Sequence, residues 1–475
     1  MVTAWSFAAF LTAFVLIGLS SLFLNKHHSS DYYLASNSVQ PWLVGLSAVA
    51  TNNSGYMFIG VIGYTYTVGL SAFWVMAGWI AGDFIASHIV HRQLRAKTES
   101  SGQLSYIGVL SNWTGANMAR YQKLAALVSL VLLLAYAAAQ LLAGGKALQA
   151  LFDWPRWAGA VVGSVLVAAY CLAGGIRASI WTDAAQSVVM ITAMGVLLWV
   201  AVAALGGPVA TVDALYQIPN YMNWFPEDLA FPGAAGAILF ALGWLFAGFS
   251  VAGQPHVMVR FMTLANTDDM TRARVWYYLW FIAFYLMATA VGLLSRIYLP
   301  EIGNFDAELA LPTMAQQLLS PVMVGLILAG IFAATLSTAD SLILSASAAL
   351  THDLSPKSIE RPLLIKLATF AVTLFALGWA LISAQTVFGM VVMAWSGLAS
   401  AFVPVLAVLI SGRRPNESTL IAMSAVGILT ALLWRYLDLH NMVYEGLPGI
   451  VAGVAVYPIA QYLGRAAKPE ENMAS

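Results

Sequence analysis

The residues best suited to binding or chemistry lie at positions 333–341, inside a long apolar run at about 321–350. Four hydroxyls and one carboxylate occur there, and Ser337, Thr338 and Ser341 fall on one face of a helix. Polar side chains are costly in lipid, so they usually face a bundle interior or a water-filled pathway. Oxygen ligands at this spacing could hold a hard cation. Alternatively, the hydroxyls only join helices by hydrogen bonds, as is common in membrane bundles.

The composition of the chain places this stretch in a membrane protein. The 475 residues are 60% hydrophobic and 9% charged, with a formal net charge of zero. Many apolar runs reach the roughly 20 residues that cross a bilayer, which predicts an all-α protein surrounded by lipid. The neutral charge gives no reason to expect nucleic acid. The single Cys171 excludes internal disulfides and thiolate metal clusters. We interpret the first apolar run as a retained helix, because it lacks a basic n-region.

Hydropathy predicts thirteen spans and, from them, the domain organisation. The spans are 4–24, 42–63, 70–90, 121–149, 157–174, 179–205, 234–263, 274–298, 320–351, 363–384, 387–411, 418–436 and 446–464. The predicted parts are a first helix with an inner loop (1–41), a five-helix repeat (42–205), an outer loop (206–233), a second, inverted five-helix repeat (234–411) and two C-terminal helices with a cytoplasmic tail (412–475).

Basic residues predict the orientation. With the N-terminus outside, 17 basic residues fall on the inner side and 4 on the outer side, a strong positive-inside bias that also places the C-terminus in the cytoplasm. The inner set is Lys26, Arg92, Arg95, Lys97, Arg120, Lys123, Arg177, Arg260, Arg272, Arg274, Lys357, Arg361, Lys366, Arg413, Arg414, Arg465 and Lys468. The outer set is Lys146, Arg156, Arg296 and Arg435, and the outer acids are Asp213, Glu227, Asp228, Glu301, Asp306 and Glu308.

Two spans contain helix-breaking residues at corresponding positions. The second span contains Ala-Thr-Asn-Asn-Ser-Gly at 50–55, and the seventh contains Gly-Phe-Ser-Val-Ala-Gly-Gln-Pro-His at 248–256. Glycine, proline and clustered amides weaken a helix and free backbone carbonyls. The two spans lie five apart and run in opposite directions, which is typical of inverted-repeat transporters with discontinuous helices at a midplane site.

A cation site can be built where the second and ninth spans meet. Its ligands would be backbone carbonyls near Ala50 and Asn53, the carbonyl of Ala334, and the hydroxyls of Ser337 and Thr338. This neutral, all-oxygen set suits a monovalent hard ion better than a transition metal. A monovalent hard cation is therefore the expected ion at this site.

Two carboxylates within the spans, Asp183 and Asp340, are candidates for a second function. They could help to hold a second cation or share a proton, although Asp183 could instead cap a helix. Tyr136 and Gln140 lie one turn apart on the fourth span and could face a solute. We find no nucleophile set, zincin motif or phosphate loop, so we predict neither an enzyme nor an organic cofactor.

Several motifs occur together along nearly all of the spans. They are Asp31-Tyr32-Tyr33-Leu34-Ala35, Ser54-Gly55, Gly174-Gly175 with Trp181-Thr182-Asp183, Gly253-Gln254-Pro255-His256 with Arg260-Phe261, Ser337-Thr338, and Ala394-Trp395-Ser396-Gly397-Leu398. In these motifs the chain resembles the sodium/solute symporter family, and it looks most like its bacterial sodium/proline branch.

The resemblance implies about thirteen transmembrane helices with a 5+5 inverted-repeat core of the LeuT-like type, working by alternating access. It implies a sodium site at Ala50, Asn53, Ala334, Ser337 and Thr338, and in some members a second one, here at Asp183, Ser337, Asp340 and Ser341. The implied solute contacts are Ser54, Gly55, Tyr136, Gly253, Gln254 and Pro255, with Trp395 nearby.

Three residues depart from the resemblance. Asn52 stands where proline-type members have an aspartate, Val251 stands where an aromatic residue lines the proline site, and Asp340 replaces a hydroxyl residue. The prediction is a sodium-coupled symporter of a bacterial inner membrane for a small zwitterionic solute, proline or another amino acid. Sugar, sialic acid or carboxylate remain alternatives, as does a transporter-like sensory module. The predicted partners are the solute and the bilayer, with no protein partner evident.

Overall fold

The computed structural model describes residues 1–21, 29–300, 305–355, 359, 361–383 and 386–466, and its regular structure there is helical apart from one isolated bridge between Val39 and Leu264. Lys26, Glu301, Lys357 and Lys468, used above for orientation, lie outside these residues. The α-helices in the described residues are α1 (Val2–Ser20), α2 (Ser29–Leu34), α3 (Pro41–Gly55), α4 (Ile62–Val68), α5 (Phe73–Ser101), α6 (Tyr106–Ser111), α7 (Ala119–Phe152), α8 (Arg156–Ala204), α9 (Pro208–Tyr216), α10 (Ala234–Phe249), α11 (Pro255–Met262), α12 (Met270–Tyr298), α13 (Ala310–Leu318), α14 (Pro321–Ala348), α15 (Pro362–Ile382), α16 (Val387–Ile410), α17 (Glu417–Tyr436) and α18 (Gly446–Ala466).

Eleven helical stretches of the described residues are long and apolar enough to cross a membrane. One of them, Pro41–Ser101, contains both the second and the third predicted spans, and the predicted fifth span falls on the shorter apolar helix Arg156–Ala169. The all-helical membrane fold is therefore confirmed, whereas the count of thirteen stays a prediction.

The first predicted interruption is present at the end of α3. Ser54 leaves the helical region (φ 43°, ψ 176°), and a π-helical turn, Tyr56–Val61, leads into α4. Side chains bond the amides that the break releases: Gly55 N–H donates to Gln140 Oε1 (2.8 Å) and Tyr56 N–H to Ser54 Oγ (3.1 Å). Such bonds make irregular backbone tolerable at membrane depth.

The second predicted interruption lies between α10 and α11. A 3₁₀ turn, Ser250–Gly253, is followed by the extended residue Gln254 (φ −96°, ψ 103°), and Pro255 then occupies the first turn of α11. Proline is well suited to that position, because the first helical N–H groups have no intrahelical acceptor. The Gln254 amide donates to the carbonyls of Ser250 (3.1 Å) and Trp395 (3.0 Å). Both discontinuous helices are confirmed.

A third bend separates the fifth and sixth predicted spans within α8. Gly175 has φ 58° and ψ −141°, and a Cβ atom there would lie 2.5 Å from the Tyr32 carbonyl oxygen. Glycine meets both requirements, since it has no side chain and adopts positive φ readily. After this bend α8 packs against α14, which is buried along most of its length and also contacts α1, α3 and α7. The polar stretch of α14 is thereby placed at the centre of the bundle.

Candidate ion and solute site

The break in α3 lies against the hydroxyl-bearing face of α14. Ser337 Oγ is 3.2 Å from the carbonyl oxygen of Ala50 and 3.1 Å from that of Ala334. Thr338 Oγ1 donates to the carbonyl of Thr51 at 2.8 Å. Both hydroxyl residues are fully buried. The contact is neutral and consists of oxygen atoms, as a site for a hard monovalent ion requires.

The five residues of the first predicted sodium site therefore differ in their placement. Ala50, Ala334 and Ser337 share one point of contact. Thr338 bonds the carbonyl of Thr51, which the sequence did not single out. The Asn53 carbonyl accepts the Tyr56 N–H, while both polar atoms of its buried side chain lack a hydrogen-bond partner.

Asp183 and Asp340 lie on either side of one arginine. Arg260 Nη2 is 3.3 Å from Asp183 Oδ2 and 3.6 Å from Asp340 Oδ1, and all three side chains have no solvent exposure. We call these three residues the inner charge cluster. Asp183 lies in the interior of α8, beyond the bend at Gly175, so the alternative that it caps a helix is wrong.

Three serine hydroxyls bond the inner charge cluster, while Asp183 Oδ1, Asp340 Oδ2, and Arg260 Nε and Nη1 have no hydrogen-bond partner. Ser47 donates to Asp183 Oδ2 (2.6 Å), and Ser179 donates to Asp340 Oδ1 (2.9 Å). Arg260 Nη2 also donates to the hydroxyls of Ser179 and Ser341. The Ser341 hydroxyl is 2.9 Å from Asp340 Oδ1 and 2.6 Å from the carbonyl oxygen of Ser337. The second predicted sodium site, at Asp183, Ser337, Asp340 and Ser341, thus contains the guanidinium of Arg260, a residue that the sequence places at the inner end of the seventh span.

Beside the break in α3, aromatic side chains form a continuous wall. The Trp395 ring centroid lies 5.0 Å from that of Trp79, 6.1 Å from that of Tyr136 and 6.0 Å from that of His256. Tyr136 and His256 are in edge contact at 5.3 Å, and Tyr56 lies 5.8 Å from Trp79. All five side chains are buried. We call this set the aromatic wall.

Many polar atoms on and around the aromatic wall have no hydrogen-bond partner. Buried native polar groups are nearly always paired, because an unpaired one costs about 1–3 kcal/mol. The unpaired atoms are Asn53 Oδ1 and Nδ2, Tyr56 Oη, Trp79 Nε1, Gln140 Nε2, Gln254 Oε1, and His256 Nδ1 and Nε2. Such a group of free donors and acceptors indicates a binding site for a small polar molecule.

The predicted solute residues do not all face this site. Ser54, Gly55 and Gln140 meet at the α3 break, and Gln254 bonds the backbone of Trp395. Asn52 instead donates to the Tyr277 hydroxyl on α12 (2.6 Å). Three further predicted residues pack within the bundle: Val251 is buried, Gly253 packs against the backbone of Ala399, and Pro255 lines a small cavity of about 20 Å³ with Tyr33 and Ser105.

Three residues of the aromatic wall were missed from the sequence, namely Tyr56, Trp79 and His256. His256 stands in the Gly-Gln-Pro-His motif, which could have pointed to it, whereas Trp79 is one of 16 tryptophans and had no distinguishing signal. A cavity of about 270 Å³ lies beyond the wall, with Tyr64, Trp244 and Phe388 in its lining. Phe388 stacks on Tyr56 (5.3 Å) and thus separates this cavity from the wall.

A second charged cluster ties α7 to the start of α16. Lys146 Nζ lies 2.8 Å from Asp306 Oδ2 and 2.6 Å from Glu308 Oε2. Glu308 also accepts the backbone N–H groups of Val387 (3.3 Å) and Phe388 (2.9 Å). We call Lys146, Asp306 and Glu308 the outer charge cluster, after the side to which the sequence assigns them.

Comparison with known proteins gives one consistent result. Residues 32–427 match the model of the sodium:solute symporter family. Two Bacillus subtilis (strain 168) proteins are similar: the high-affinity proline transporter PutP (29% identity over 437 residues, 90% of each chain) and the osmoregulated proline transporter OpuE (27% over 473 residues, 96% of this chain and 94% of the relative).

Solved structures share the fold. A substrate-bound, outward-open Na⁺-coupled sialic acid symporter superposes with a TM-score of 0.81 at 19% identity, over 98% of both chains. Mhp1, a nucleobase-cation-symport-1 family transporter, superposes with a TM-score of 0.61 at 14% identity, over 92% of this chain and 95% of the other. The LeuT-like architecture that the family resemblance implies is thereby confirmed.

Proposed function

The chain belongs to the sodium:solute symporter family, and on that premise we propose that it imports proline or another small zwitterionic amino acid together with sodium. The observation that carries the proposal is the group of unpaired polar atoms beside the aromatic wall, next to the α3–α14 contact. The names of the similar Bacillus subtilis proline transporters support an amino acid as the solute.

Sodium would bind at the α3–α14 contact. Its ligands would be the carbonyl oxygens of Ala50 and Ala334 and the hydroxyls of Ser337 and Thr338, with Asn53 as the remaining candidate. The ion would replace the hydrogen bonds that now join these groups. Since its ligands come from two helices, bound sodium would hold α3 against α14.

The solute would bind between the α3 break and the aromatic wall. Ser54, Gly55, Gln140 and Gln254 would supply polar contacts, and the rings of Tyr136 and Trp395 would cover the apolar part and face its ammonium group. Asn52, Val251, Gly253 and Pro255 would shape the site through the helices that carry them. Because sodium and solute both need the α3 break in one conformation, each would tighten the binding of the other.

Transport would follow from alternate opening of the two sides around this site. The breaks in α3 and between α10 and α11 allow the half-helices to move as separate rods. One sodium ion crossing 100 mV releases about 2.3 kcal/mol, enough for roughly 50-fold accumulation of a neutral solute. The chain is a multi-pass membrane protein, and we place it in a bacterial inner membrane with its N-terminus outside and its C-terminus in the cytoplasm.

Uptake by purified protein in proteoliposomes tests the proposal. We expect an inward sodium gradient, but not a potassium gradient, to drive accumulation of labelled proline or another amino acid. Ser337→Ala with Thr338→Ala should raise the sodium concentration for half-maximal uptake at least tenfold. Ser345→Ala, which removes a partly buried hydroxyl from the same helix, is the matched control. Accumulation of sialic acid or a sugar alone would overturn the amino acid assignment, and an unchanged sodium dependence in the double variant would overturn the site.

A further inference from the structure

We propose that the inner charge cluster is the fixed counter-charge of a single transported sodium ion and is not a second sodium site. This inference rests on the proposed function. It assigns to Asp340 and Arg260 a role in ion coupling, although neither would contact the ion.

The first argument is the position of Arg260. Its guanidinium lies between Asp183 and Asp340, 3.3 Å and 3.6 Å from their nearest oxygens, and it donates to the hydroxyl of Ser341. Asp183 Oδ1 and Asp340 Oδ2 have no hydrogen-bond partner, but a second sodium ion bound through these oxygens and Ser341 would compete with the guanidinium for both carboxylates. It would also lie next to a positive charge that is fully buried and therefore poorly screened.

The second argument is the charge that remains. With both carboxylates ionised, two negative charges face one guanidinium and leave one negative charge, and all three side chains have no exposure to solvent. A buried charge without a partner is costly. The candidate ion site on α14 lacks a negative charge, because its carbonyl and hydroxyl ligands are neutral and cannot offset the charge of sodium. One bound sodium ion would make the two regions neutral together.

The third argument is that the two regions adjoin. The Ser341 hydroxyl is 2.9 Å from Asp340 Oδ1 and 3.0 Å from Thr51 Oγ1, and the Thr51 carbonyl accepts from Thr338. On α14, Ser341 Oγ is 2.6 Å from the Ser337 carbonyl oxygen. The Ser341 hydroxyl therefore bridges the carboxylate and α3, and along α14 Ser341 follows the candidate ligand Ser337 by four residues, a rise of about 6 Å. At that separation in a low-dielectric interior, the negative charge attracts the ion strongly.

Sodium binding to purified protein in detergent tests the inference without relying on transport. Isothermal titration with NaCl, in choline chloride to hold ionic strength, should give one sodium ion per wild-type chain. Asp340→Asn should weaken binding at least tenfold and keep the one-to-one ratio, whereas Asp340→Glu should restore most of the affinity. Arg260→Gln should admit a second sodium ion, because it leaves both carboxylates without their cation.

Asp353→Asn is the matched control. Asp353 is a buried carboxylate at the end of the same helical stretch, bonded by Ser105 and Gln122, and 13 residues of helix separate it from Asp340 by about 20 Å. The sodium affinity of the Asp353→Asn variant should stay within twofold of that of the wild type. Arg260→Lys keeps the positive charge and should still bind one ion, which covers the case in which Arg260→Gln does not fold.

Reversal potentials in proteoliposomes separate this inference from the proposed function. One sodium ion per neutral solute is expected. Two sodium ions per solute with normal uptake, or unchanged sodium affinity in Asp340→Asn, would overturn the counter-charge role and leave the symporter assignment intact. Wild-type protein that neither binds sodium nor uses its gradient would overturn both.

Discussion

The inner and outer charge clusters have the same composition, one cation between two carboxylates, yet they differ in burial and in their supporting bonds. In the inner cluster Asp183, Arg260 and Asp340 are fully buried. In the outer cluster the Asp306 side chain is 36% exposed, while Lys146 and Glu308 are nearly buried.

The supporting bonds of the two clusters come from different sources. Side-chain hydroxyls of Ser47 and Ser179 support the inner carboxylates. Backbone amides at the start of α16 support Glu308, where the helix dipole also favours a negative charge. The excess negative charge of the outer cluster is therefore offset by the dipole and by water. No helix dipole or water offsets the excess charge of the inner cluster, so a sodium ion at the adjoining site would neutralise it.

The largest expected effect comes from removing the inner cation. Arg260→Ala leaves two carboxylates facing each other in a dry interior, and loss of one partner of a buried pair costs about 3–5 kcal/mol. We expect a large drop in thermal stability, which tryptophan fluorescence would measure in detergent at low sodium. Arg272→Ala, which removes an exposed cation paired with Asp269, should change stability little. Equal losses in both variants would show that burial does not distinguish these pairs.

A smaller effect is expected from removing the outer cation. Lys146→Met leaves Glu308 bonded to two backbone amides and Asp306 in contact with water, so we expect a loss of about 1–3 kcal/mol. The same unfolding measurement applies, with Lys123→Met, an exposed lysine on α7, as control. A loss as large as that of Arg260→Ala would contradict the difference drawn between the clusters.

The smallest effect is expected at Asp306. Because this carboxylate is partly exposed and Lys146 keeps Glu308, Asp306→Asn should cost less than about 1 kcal/mol. Added salt should reduce the difference from wild type, since it screens exposed charges. A loss of stability above about 1 kcal/mol that added salt does not reduce would show that Asp306 behaves as a buried ion-pair partner.

The membrane-spanning helices, the two breaks and the polar face of α14 could all be predicted from the order of the amino acids alone. These features depend on local properties: a run of about 20 apolar residues, a Gly-Gln-Pro step, or hydroxyls three and four residues apart. Ser54 and Gln254 adopt their non-helical conformations where the residue types predicted them. Five-span spacing of the breaks was enough to predict the inverted-repeat core.

Contacts between side chains on different helices could not be predicted in this way. Arg260 stands at the inner end of a predicted span, so the sequence counts it with the inner-side charges, but packing of α8, α11 and α14 buries it between Asp183 and Asp340. Helix packing also brings the rings of Trp79 and His256 against Trp395 in the aromatic wall. The reason is physical: hydropathy and backbone breaks act over one or two turns of chain, whereas these contacts join residues far apart in sequence and depend on how whole helices pack.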